Sequence, residues 1–152
     1  MKAKYVVIPA VALLLGGLYY KTRLDNVKRL VSKIKAVPTG IRNLRFENSI
    51  FKCTIDVTLF NGSNETFNAD GILSFLKRIN VITQGKRIAT INVNKSSLKI
   101  VPRGQFVLKD LQVEISLLET LLNISTLANI KSASDIRVEP VISILGNEQT
   151  IS

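Results

Sequence analysis

The chain has no histidine and no tryptophan, and among its 152 residues there is a single cysteine, Cys53. Without imidazole, neither a histidine metal site nor a histidine general base can be built. One thiol excludes an intrachain disulfide and a cysteine zinc cluster. Aromatic residues are scarce at 6%, and the eleven acids are outnumbered by twenty-one lysines and arginines. What remains is a chain both apolar (46%) and strongly basic (net charge +10).

These two properties sit in different places. Residues 1–45 hold ten basic residues and one acid, Asp25, whereas residues 46–152 hold eleven basic and ten acidic residues. The body is therefore a near-neutral globular domain, and the basicity belongs to the N-terminal segment.

That segment opens with sixteen uncharged residues, Tyr5 to Tyr20, bounded by Lys2 and Lys4 on one side and Lys21 and Arg23 on the other. As a helix it spans about 24 Å at roughly 1.5 Å per residue. This is short of the roughly 30 Å hydrocarbon core, a gap that snorkelling lysines and arginines can close. All three tyrosines, Tyr5, Tyr19 and Tyr20, stand where an aromatic belt places them. No small-residue cleavage site follows the run, which continues into Tyr19-Tyr20-Lys21-Thr22-Arg23. The reading is a retained transmembrane anchor over residues 1–21, in preference to a cleaved signal or a core helix. Tyr5, Val6, Leu13, Leu14, Leu15, Leu18, Tyr19 and Tyr20 are its membrane contacts. The excess of cations after the run favours a cytoplasmic body, or a genome-facing one in a virion membrane.

Residues 22–37, TRLDNVKRLVSKIKAV, read as a basic juxtamembrane helix. Leu24, Val27, Leu30, Val31 and Ile34 recur at helical spacing, and Pro38 and Gly40 close it. Lys21, Arg23, Lys28, Arg29, Lys33 and Lys35 are the candidate contacts to anionic lipid, each able to add about 1 kcal/mol. A helix packed on its own domain with solvated lysines is the competing arrangement. Charge alone permits a nucleic-acid contact, but the segment has no aromatic to stack on a base, so nucleic acid is set aside.

After Gly40 the period changes to alternation. In SIFKCTIDVTLFN, Phe51, Cys53, Ile55, Val57 and Leu59 share one face, and Lys52, Thr54, Asp56 and Thr58 the other. Turn signals follow at Asn61-Gly62-Ser63-Asn64, Gln84-Gly85-Lys86 and Pro102-Arg103-Gly104. A strand over 41–47, the long strand, two strands flanking Gln84-Gly85-Lys86, two flanking Pro102, and a last strand in DIRVEPVISILG make seven. The expected fold for residues 38–152 is a mainly β, seven-stranded antiparallel β-sandwich with one short helix.

The order of VTLFNGSN, FNADGILSFLKRINVITQGKRIATINV, IVPRGQFVL and a late apolar helix before a final strand resembles the late-embryogenesis-abundant type 2 family. That family is also called the water-stress and hypersensitive-response domain. The likeness covers roughly residues 37–147 and departs at Asn61-Gly62-Ser63-Asn64, where the family's turn carries a proline. It implies a small sandwich, often tethered by an N-terminal membrane segment, and brings no catalytic residues.

No arrangement of side chains points to an enzyme or a cofactor. Cys53 sits at an inward strand position, a structural thiol. Asp110 and Glu114 share a strand face, but two carboxylates separated by Gln112 are a solvated face before they are an acid–base pair. In SLLETLLNISTLANI, apolar residues occupy most of the helix circumference, which suits a plug at one end of the sandwich. A subunit contact or an apolar-ligand groove are the other uses. The expected function is a non-enzymatic, single-pass membrane-anchored module with a structural, scaffolding or binding role. Its partners are an anionic bilayer and either a protein or a second copy. A structural protein of a membrane-containing virion and a lipid or apolar-ligand carrier are the alternatives.

Overall fold

A computed structural model describes residues 7–69 and 74–151. Two-residue turns organise its sheets. Strand β1 (Ile34–Glu47) turns through Asn48 and Ser49, at φ +50° and +63°, into β2 (Ile50–Asn61). Strand β4 (Ser74–Thr83) turns through Gln84 and Gly85 (+47° and +76°) into β5 (Lys86–Lys95). Strand β8 (Arg137–Ile144) turns through Leu145 and Gly146 (+51° and +82°) into β9 (Asn147–Thr150). Two successive left-handed residues match the right-handed twist of the strands they join.

The remaining strands are β3 (Phe67–Asn68), β6 (Lys99–Ile100) and β7 (Gln105–Ile115). A three-stranded antiparallel sheet runs in the order β1-β2-β7, and a four-stranded one in the order β5-β4-β8-β9. A two-stranded ribbon, β3-β6, stands beside them. The expected β-rich antiparallel architecture is present, with nine strands among the described residues rather than seven. The two unexpected strands are β3, only two residues long, and β9, whose polar Asn147-Glu148-Gln149-Thr150 carries no alternating apolar signal.

The inward face read in β2 holds from Cys53 to Leu59, whereas Thr54 and Thr58, expected on the outer face, are buried as well. Cys53, Ile55, Val57 and Leu59 are buried in one continuous core with Ile79 and Val81 of β4, Val113 of β7 and Ile142 of β8. In β4 the register slips between Leu76 and Arg78, so the inward parity changes from Leu76 to Ile79 and Val81. Burial pushes the Cys53 thiol up to about 11, in keeping with an inert core position.

Two helical expectations are corrected. Helix α1 (Val7–Val31) runs without a break through the expected boundary at residue 21. It ends at Val31, so residues 34–37, expected as helix, are the start of β1. Val27, Leu30 and Val31 are buried in the domain core, which makes the competing arrangement, packing on its own domain, the observed one for this stripe. Among the described residues no helix is long and apolar enough to cross a membrane.

The late helix is two helices, α2 (Leu117–Leu122) and α3 (Ile124–Ala128). They break at Asn123, whose φ of −124° is non-helical and whose amide returns to the Glu119 carbonyl at 2.8 Å. Of these helices only Thr120, Thr126 and Leu127 are buried. The expected plug is thus largely uncovered, because α2 lies across the end of the sheet with its leucines outward.

A charged clamp ties the three strands of the first sheet where their registers slip. The shifts fall at Pro38/Gly40 and Arg42/Arg45 on β1 and at Ile55/Val57 on β2. Arg42 donates to both oxygens of Asp56, at 2.6 and 2.9 Å, and also bonds Asp110. The Asp110 N–H, on a residue at φ +57°, donates to Asp56 Oδ1 at 2.8 Å. A Cβ at residue 40 would lie 3.1 Å from Asp56 Oδ2, so Gly40 keeps this carboxylate close to the edge strand.

The Arg42 guanidinium and the Asp110 amide hold the Asp56 carboxyl down to about 2. A carboxylate depressed on folding contributes stability that is complete above its ordinary range near pH 4. That contribution is lost as pH falls toward the folded value. The native chain should therefore lose more stability between about pH 5 and pH 2 than the Asp56→Asn variant, which should itself cost about 1 kcal/mol at neutral pH. Urea titrations at several pH values check this, and parallel pH dependences for the two proteins would contradict it.

Candidate membrane-facing site

Where α1 meets the sandwich, backbone chemistry closes the helix and aims the chain into β1. Ser32 N–H donates to the Lys28 carbonyl at 3.3 Å, and Lys33 N–H to the Leu30 carbonyl at 2.9 Å. The Lys33 carbonyl in turn accepts from Gly62 N–H at 2.9 Å, fastening the helix end to the end of β2. A Cβ on residue 62 would stand 3.1 Å from that oxygen.

Asn61 is the centre of this pole. It is 2% exposed, and its side-chain amide satisfies five groups. Nδ2 donates to the Glu65, Ile100 and Val101 carbonyls at 2.7, 3.1 and 3.2 Å. Oδ1 accepts from the Ser63 N–H and hydroxyl at 3.0 and 2.7 Å. The turn at Val101-Pro102-Arg103-Gly104 closes over it: Asn61 N–H reaches the Gly104 carbonyl, and Arg103 N–H the Ser63 carbonyl. Arg103 Nε also bonds Asn64 Oδ1 at 2.9 Å. The two turn motifs separated by some forty residues in sequence are thus one hydrogen-bonded unit beneath the helix end.

Above this unit α1 stands clear of the body. A Cβ added at Gly16 or Gly17 would meet nothing within 4 Å. Leu18, Tyr19 and Tyr20 are each 60% exposed. The Tyr19 and Tyr20 rings meet edge to face, with centroids 6.1 Å apart, and the Arg23 guanidinium lies 5.8 Å from the Tyr19 centroid. Leu13, Leu14 and Leu15 lie within α1, whereas Tyr5 and Val6 fall outside the described residues.

The six expected lipid-contacting cations do not behave alike. Lys21, Arg23, Lys33 and Lys35 are exposed, and Lys28 is half-buried. Arg29 is engaged in a two-pronged ion pair with Glu65, both bonds at 2.9 Å, that keeps the Glu65 carboxyl below its usual range. Sequence reasoning passed over the apolar residues of the same pole. Val37 and Val107 flank Thr58 in one cross-strand row, and Phe60 pairs with Lys35 in the next. Val37, Phe60, Val107 and the turn residue Val101 are all exposed. The available signal was an apolar residue in a Pro-Gly turn, where a polar one is usual. Elsewhere, the paired-carboxylate candidate separates: Asp110 binds Arg42, while Glu114 lies 3.7 Å from Lys52.

No family model matches this chain, and no curated protein does. A solved structure described as a protein from Archaeoglobus fulgidus is similar over 77% of this chain and 86% of its own length. Its identity is 13% and its TM-score 0.37, a level at which the likeness carries no argument.

The Asn61 hub yields a stability test. Asn61→Ala should cost about 3 kcal/mol, since several buried carbonyls lose their donor at once, and lower Tm by roughly 10 °C. A change under about 1 kcal/mol in calorimetry would show that water replaces the amide without loss.

Proposed function

We propose that this protein is a non-enzymatic, membrane-tethered β-sandwich that presents a folded module at a lipid surface. The observation that carries this reading is the division of α1. One face of its last turns, Val27, Leu30 and Val31, is buried in the domain core, while Leu18, Tyr19 and Tyr20 are left uncovered by the domain. The uncharged run from Tyr5 to Tyr20 is the segment that inserts. A run about 24 Å long reaches most of the way through a hydrocarbon core of roughly 30 Å, with Lys21 and Arg23 at the headgroups. Exposed aromatic rings at the end of such a run suit the interfacial zone.

Because Val27, Leu30 and Val31 already face the core, the basic part of α1 does not lay an apolar stripe on lipid. Its contribution is electrostatic, from Lys28, Lys33 and Lys35, beside the apolar rim of Val37, Phe60, Val101 and Val107.

Extraction tests the anchor. The full chain in vesicles should resist alkaline carbonate and concentrated salt and yield to detergent. The Leu14→Lys, Leu18→Lys double variant should wash off. In that double variant, replacing Lys28, Lys33 and Lys35 with Gln should weaken partitioning onto anionic vesicles about 100-fold, at about 1 kcal/mol per charge. Glu65→Gln, which frees Arg29, should strengthen it. A native chain released by carbonate would overturn the reading.

A further inference from the structure

The pole of the sandwich opposite α1 carries its own apolar face. β2 runs from one pole to the other, twelve residues or roughly 35–40 Å. At its far end lie Phe46, Phe51 and the helices α2 and α3. Leu118 and Leu122, one helical turn apart, project at 69% and 73% exposure, and Leu117, Leu121 and Ile124 are exposed beside them. Next to these leucines is a groove of 330 Å³ lined by Phe46, Phe51, Leu121, Ile124 and Leu127 with almost no polar surface.

We propose that this face is the contact between two copies of the chain, related by a two-fold axis. Three observations select a second copy. Projecting leucines and an apolar groove share one face, so the face is complementary to itself, as a two-fold contact requires. Phe46, Leu118, Leu121, Leu122 and Ile124 are each more than half exposed, a contiguous set of large apolar side chains on the scale that marks an association surface rather than scattered exposed residues. The basic residues around it are already paired within the chain, and the acid of α2, Glu119, bonds Ser116. Arg45 and Lys52 lie at 3.3 and 3.5 Å from Glu47, and Lys52 also approaches Glu114. Copies can therefore approach at this pole without the repulsion that the basic residues at the α1 end would produce. A membrane occupant is disfavoured by the same inventory, because neither α2 nor α3 has a basic residue in its last turn.

Sedimentation equilibrium of the full chain in density-matched detergent tests this. The native chain should be a dimer at micromolar concentration. Leu118→Lys and Leu122→Lys should each raise its dissociation constant roughly tenfold or more, while Val101→Lys at the α1 pole should leave it unchanged. Both leucines are exposed, so thermal unfolding of the dissociated chain, measured well below the dissociation constant, should be unaltered. With Cys53 buried, Leu122→Cys should form disulfide-linked dimers under oxidation and Val101→Cys should not. A native chain that stays monomeric to about 100 µM would overturn the inference. So would a dimer indifferent to both leucine substitutions, or binding of vesicles that depends on Leu122.

Discussion

The architecture depends on how α1 is shared between the sandwich and its surroundings. Val27, Leu30 and Val31 lock the last turns of the helix into the same core as β2, β4 and β7. The Lys33 carbonyl, held by Gly62, fixes where the helix stops and the sheet starts. Burial of those three side chains is worth several kcal/mol, at about 1.5–3 kcal/mol each. The helix direction is consequently a property of the folded domain rather than of a flexible linker. Whatever Leu18, Tyr19 and Tyr20 contact is thereby held at a set position relative to the strands.

From this follows a molecule with two unlike ends. The α1 end gathers Lys33, Lys35 and Arg103 around exposed valines and Phe60, over a turn unit built on Asn61. The far end is apolar, its Arg45 and Lys52 paired with acids of the same chain, with short helices that are left largely exposed. The clamp of Arg42, Asp56 and Asp110 lies between, holding β1, β2 and β7 together through the bulges where ladder pairing slips.

Much of the sheet was legible because β2 alternates at period two without exception from Cys53 to Leu59, and Gln84-Gly85 is a turn of ordinary chemistry. The helix-to-strand boundary was not. Ile34 satisfies the helical spacing and the strand pattern equally, and Pro38 reads as a helix stop. In fact it sits beside a register shift on β1, an edge strand, where a missing N–H is tolerated. The last hairpin was hidden by Leu145 at a turn position that usually carries Asn or Asp. The late apolar stretch shows a general limit: spacing reveals that a helix is apolar around its circumference, but not whether the same chain covers it. The Arg29–Glu65 pair, thirty-six residues apart, has no local signal at all.

The chain offers an unusually clean probe of its central claim. It has no tryptophan, and its three tyrosines are Tyr5, Tyr19 and Tyr20, so intrinsic fluorescence reports on the apolar run alone. With the full chain in vesicles, lipids brominated along their acyl chains should quench this emission strongly, most of all near the headgroup. Emission no lower than in unbrominated vesicles would place the run outside the bilayer and contradict the account.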